Sequence, residues 1–100
     1  MNKYTGLSDF EINKKVAERL FLKFTDCFSV VLFEGESFDP CNNPADAMPL
    51  IIENGISMVR VNNTWSARQF NNHCIEINGD NYYRIAMETY LLMKDAENED

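Results

Sequence analysis

The chain has 100 residues, 45% hydrophobic and 12% aromatic, with 16 Asp and Glu against 9 Lys and Arg. That excludes a wholly disordered chain, which needs few aromatics and low hydrophobicity. With 4 Gly and 3 Pro it also excludes a collagen-like or low-complexity chain. The length fits one core, read as a single domain over residues 1–94 followed by an acidic, fraying tail at 95–100.

The pattern opens with a helix over residues 8–22. Ser8 and Glu11 make the S-x-x-E capping box, and Leu7 and Ile12 are placed for a hydrophobic staple. Ile12, Val16 and Leu20 recur every four residues, with Ala17 and Phe24 widening the stripe. Cys27–Phe33, rich in β-branched and aromatic residues, predicts one strand, and Glu34–Pro40 a loop. Asn43-Pro44 starts a second helix over 44–53, which Asn54-Gly55 stops. Pro49 inside it predicts a kink or a tight first turn. Ile56–Val61 and Thr64–Phe70 predict two strands joined by the two-residue turn Asn62-Asn63. On the second of them Trp65, Ala67 and Gln69 share one face, and Ser66, Arg68 and Phe70 the other. Cys74–Ile77 reads as a short further strand, and Asn78–Asn81 as a turn that supplies the next N-cap. The last helix, 81–94, is apolar nearly all round, which predicts a central position or a subunit interface. The fold class is α+β: a small, mainly antiparallel sheet of three to four strands packed with three helices. A three-layer α/β/α sandwich is the alternative arrangement.

The net charge of -7 is uneven. Residues 24–59 hold Asp26, Glu34, Glu36, Asp39, Asp46 and Glu53 with no Lys or Arg, and the tail adds Asp95, Glu97, Glu99 and Asp100. Such a surface repels a phosphate backbone, so no direct nucleic-acid binding is expected. It would attract and steer a basic protein. The plain alternative is that the acid keeps a small protein soluble. The three cysteines are odd in number and far apart. No apolar leader precedes them and no apolar run reaches membrane-spanning length, which predicts a cytoplasmic chain with reduced thiols and no membrane partner.

Catalytic and metal chemistry find little here. His73-Cys74, with Cys41 or Cys27, lacks the paired short spacings of a zinc site, so no metal or other cofactor is expected. As adjacent strand residues, His73 and Cys74 would point to opposite faces, which spoils a nucleophile–base pair and makes Cys74 a core residue. Glu34 and Glu36 in a Gly-containing loop read as solvated charge. Trp65, with Arg60, Arg68 and Tyr82, combines the residue types of binding hot spots, although Trp65 also suits the core of a sheet. The interaction candidates are therefore Glu34, Glu36, Asp39, Asp46, Glu53, Trp65, Arg68 and Tyr82.

The string CNNPADAMPLIIENGISMV at 41–59 resembles the central motif of the NinX-like proteins of lambdoid phages. LSDFEINKKVAE at 7–18, Trp65-Ser66-Ala67 and Arg84-Ile85-Ala86-Met87 extend that resemblance over residues 7–93. Met48 stands where the family pattern leads one to expect an aromatic residue. The resemblance implies a phage or prophage accessory protein among small helix–sheet–helix domains, with no catalytic residue to carry over. A non-enzymatic protein is expected, acting in the host cytoplasm on a host protein, such as a basic nucleic-acid-handling factor. An inhibitor of a host defence system, anti-CRISPR-like or DNA-mimicking, is the narrower form. The alternative is a small-ligand-binding or sequestering domain at an oligomer interface near Trp65 and Tyr82. The apolar last helix adds the expectation of a homodimer.

Overall fold

In the computed structural model, which describes residues 2–71 and 73–98, each helix begins at a polar side chain that caps it. α1 (Asp9–Arg19) opens on a complete capping box. The Glu11 N–H donates to Ser8 Oγ at 3.1 Å, and the Ser8 N–H to Glu11 Oε1 at 3.0 Å. α2 (Pro44–Glu53) is capped by Asn43, whose Oδ1 accepts the Ala45 N–H at 3.0 Å. α3 (Tyr82–Glu97) is capped by Asn81, whose Oδ1 accepts the Arg84 N–H at 3.1 Å. Pro49 lies inside α2 without ending it. The carbonyl it deprives of a donor is that of Ala45, and both residues are exposed, so water can replace the missing N–H.

The strands depart further from expectation. Among the described residues six strands form two separate antiparallel sheets, where one of three to four was expected. β1 (Phe24–Cys27), β2 (Val30–Phe33) and β3 (Glu36–Ser37) make the first, in that order. β4 (Ser57–Val61), β5 (Thr64–Gln69) and β6 (Ile75–Gly79) make the second. The single strand expected at Cys27–Phe33 is instead a hairpin: β1 pairs with β2 from Phe24↔Phe33 to Cys27↔Val30. Phe28 and Ser29 form its two-residue turn, with φ of 50° and 64°. Two positive φ values define the type I′ turn, whose usual residues are Asn and Gly. A Phe there conceals the turn from any reading of residue types. The expected loop after it contains β3, reached through a second positive-φ pair, Glu34 and Gly35.

The second sheet lays Met58, Trp65, Ala67, Ile75 and Ile77 against the core. α3 packs on β5 and β6, and α1 and α2 pack on α3 in turn. The helices therefore lie on one side of this sheet, and Ser57, Val59, Glu76 and Asn78 remain exposed on the other. α3 is the central element, with Ile85, Met87, Tyr90, Leu91 and Met93 all buried. Its apolar surplus is spent within one chain. The helix also runs past 94 to Glu97, so residues 95–97 of the expected tail are helical, while Glu99 and Asp100 lie outside the described residues.

Two charged side chains tie the N-terminal segment to this frame. Arg84 donates through Nη1 to Asp9 Oδ1 at 2.7 Å and through Nε to Glu88 Oε2 at 2.6 Å. Its Nη2 reaches the carbonyls of Leu7 at 2.7 Å and Tyr4 at 2.9 Å. Burial opposes its charge, but the hydrogen bonds to Asp9 and Glu88 outweigh that and raise its pKa. Asp95 accepts from Lys3 Nζ at 3.0 Å, from Arg19 and from the Tyr4 hydroxyl. Burial alone would raise its pKa; the bonds from Tyr4 and Lys3 and the charge of Arg19 hold it below the ordinary carboxylate value. In the sequence Asp95 counts as part of an acidic tail without bases. In the fold it has bases from the chain's beginning.

Candidate functional site

The first sheet is an arm on the side of the molecule. Of β1 and β2 only Val31 is buried, at 1% exposure, and β2 is the strand that touches α1. The Phe38 N–H closes the base by donating to the Val31 carbonyl at 2.8 Å. Everything else on the arm is half-buried or exposed. Phe28 is 95% exposed at the tip, next to Val30 at 41%. An apolar ring held in water at a strained φ gains nothing inside the chain.

Charge surrounds that ring. Glu34 and Glu36 are exposed on the arm, and Asp26 pairs with Lys14 at 3.1 Å across to α1. The other acids of the 24–59 segment do different work. Asp39 Oδ1 accepts from Asn13 Nδ2 at 2.7 Å and from Asn42 Nδ2 at 3.1 Å, and the Asp39 N–H donates to Asp46 Oδ2 at 2.9 Å. These two carboxylates lock the turn between the arm and α2. Glu53 is exposed at the far end of α2, which packs on α3. The structure thus brings Glu34 and Glu36 together on the arm, assigns Asp39 and Asp46 to its hinge, and leaves Glu53 apart. A cavity of about 210 Å³ between arm and α1 is lined by Phe10 and Asn13 of α1 and by Val30, Phe38 and Asp39.

The Trp65 group assembles in part. Tyr82 stands edge-on to Trp65 with ring centroids 4.8 Å apart, Tyr83 continues the stack at 4.9 Å, and the Arg60 guanidinium lies 5.2 Å from the Trp65 ring. Arg68 is on the opposite face, hydrogen-bonded to Ser66 Oγ at 3.0 Å and 3.7 Å from Glu76. Four cavities on the surface are lined by residues other than Trp65 and Tyr82. The Trp65 stack packs against the core and braces the start of α3 against β5.

The cysteines exchange places with expectation. Cys74 is exposed, because β6 begins only at Ile75 and the residue before it is not held in the ladder. Cys27 is exposed as well, beside the Phe28 tip. Cys41 is the buried one: its N–H donates to Asn13 Oδ1 at 3.1 Å, and burial pushes its thiol pKa up. Among the described residues no three of His, Cys, Asp and Glu gather as metal ligands, and no helix is long and apolar enough to cross a membrane.

Sequence reasoning missed Phe28 altogether. The only signal for it was the stretch from Phe24 to Phe33, too polar at Thr25 and Asp26 for a buried strand to extend through it. No curated protein and no solved structure matches the chain. The family described as Bacteriophage P22, NinX matches residues 3–94, a span that includes the arm, its hinge and all three helices up to Lys94. The chain belongs to this NinX family of phage accessory proteins.

Proposed function

We propose that this phage accessory protein works by non-catalytic contact with a host protein, and that the Phe28-tipped arm makes the contact. The observation that carries the reading is Phe28 itself, 95% exposed at φ 50° on a hairpin whose one buried side chain, among the described residues, is Val31. Aromatic residues of this kind serve as interface anchors, and the surrounding carboxylates steer a basic partner. A basic, nucleic-acid-handling host factor has the complementary charge. The narrower form, inhibition of a defence complex by mimicking DNA, asks for more acid than the arm supplies. A duplex carries one charge per roughly 1.7 Å over its length. Glu34, Glu36 and Asp26 make a docking patch, and Asp39 and Asp46 are turned inward to the hinge.

The test is capture of host proteins by the tagged chain at low and high salt, beside Phe28→Asn and Glu34→Lys with Glu36→Lys. A basic protein lost from both variants, and retained less at high salt, supports the reading. A partner indifferent to all of these changes counts against it. Asp39→Lys is unsuitable as a charge probe, since it breaks the hinge.

A further inference from the structure

α1 and α2 end in the same way with different residues. In both, the chain turns through a left-handed residue and closes two reverse hydrogen bonds. At α2 the Ile56 N–H donates to the Ile51 carbonyl at 3.0 Å and the Gly55 N–H to Ile52 at 3.3 Å, with Gly55 at φ 64°. At α1 the Leu22 N–H donates to Ala17 at 3.1 Å and the Phe21 N–H to Glu18 at 3.1 Å, with Phe21 at φ 58°. Glycine is the ordinary residue at this position because it has no Cβ to clash. Phe21 bears the strain and leaves its ring 92% exposed. Neither cost has a return within the chain.

A groove of about 630 Å³ adjoins that ring, between the end of α1 and the last turns of α3. Leu20 and Phe21 supply its accessible apolar surface, while Tyr90 is buried beneath Lys94, whose Nζ lies 5.6 Å from the ring. The charged groups on its walls are Glu18, Arg19, Lys94 and Glu97, two acids and two bases, in a chain of net charge -7. This face does not repel its own copy, as the acidic arm does. It also carries an exposed ring beside a groove, so two copies can each offer one to the other across a two-fold axis.

We propose that the Phe21 face is the isologous contact of a homodimer, each Phe21 seated in the other copy's groove beside Leu20 and the Lys94 stem. This goes beyond the arm's role and stands independently of it: the dimer uses the ends of α1 and α3, and the arm stays free.

The experiment is sedimentation of the full chain from low micromolar to millimolar concentration, with Phe21→Gly and Phe21→Asn alongside, and Phe28→Asn as control. Both Phe21 variants suit a left-handed residue, so they fold. The wild type is expected to dimerise with rising concentration, and Phe28→Asn to dimerise equally. Phe21→Gly and Phe21→Asn are expected to weaken the dimer about thirtyfold or more, the factor of an interface anchor. In dilute solution Phe21→Gly is expected to melt higher than the wild type, which separates an interface residue from a packing residue. A wild type that stays monomeric at millimolar concentration, or Phe21 variants that dimerise as tightly as it does, would overturn the proposal.

Discussion

The β1–β2 and β4–β5 hairpins share a turn geometry and differ in what they put there. Asn62 and Asn63, with φ of 48° and 67°, are residues that tolerate the left-handed region, and their hairpin is pressed into the core through Trp65 and Ala67. Phe28 and Ser29 occupy the same geometry without that tolerance, on a hairpin held by Val31. One hairpin is built for the fold. The other carries strain and exposed apolar surface that the fold does not use. Strain of this kind clusters at functional sites, and it supports the contact proposed for the arm.

That contrast can be broken at its supports. Arg84→Met strands Asp9 and the buried Glu88 without their counter-charge, and loss of one partner of a buried pair costs about 3–5 kcal/mol. Urea unfolding should show a larger drop for this change than for Trp65→Ala or Phe28→Ala. Trp65→Ala comes next, at about 3 kcal/mol, because it empties part of the space between β5 and α3. Phe28→Ala, the same truncation on the arm, should stay within about 0.5 kcal/mol of the wild type. If the two cost the same, the hairpins are not different in kind.

Exchanging the turns sharpens the point. Asn62→Phe with Asn63→Ser should destabilise by about 2 kcal/mol, since both residues then occupy a disfavoured region. The reverse exchange, Phe28→Asn with Ser29→Gly, should stabilise by about 1 kcal/mol. Thermal unfolding of both variants checks the opposite signs.

A smaller effect concerns acid. The folded-state pKa of Asp95 is depressed, so its stabilisation is complete above the unfolded-state carboxylate pKa and is lost as pH falls through the lower folded value. Asp95→Asn should lower stability at neutral pH and flatten the acid limb of the stability curve. A limb unchanged by the substitution would mean that the contacts to Lys3, Arg19 and Tyr4 do not persist in solution.

The sequence was legible where local rules decide. Ser8 and Asn43 cap the helices they were expected to cap, Asn81 caps the last helix from the turn expected to supply its cap, and Asn62-Asn63 turns where expected, because each signal lies within four residues of its effect. The central place of the last helix was legible from its apolar surplus. The arm was not, since Phe28 and Ser29 look like strand residues and only their backbone reveals the turn. Arg84 and Asp95 were hidden for another reason: apart from Glu88, their partners lie 75 or more residues away, and periodicity carries no information over that distance. Of the acidic candidates, Glu34 and Glu36 proved exposed on the arm, and Asp39 and Asp46 internal to its hinge, a distinction that charge counting cannot make.

The most direct test is the affinity of the captured host partner for the wild type and for Phe28→Asn with Ser29→Gly, measured where both are folded. If the strained tip exists for that contact, affinity falls about thirtyfold or more while the variant melts no lower than the wild type. Unchanged affinity in the relaxed variant would contradict it.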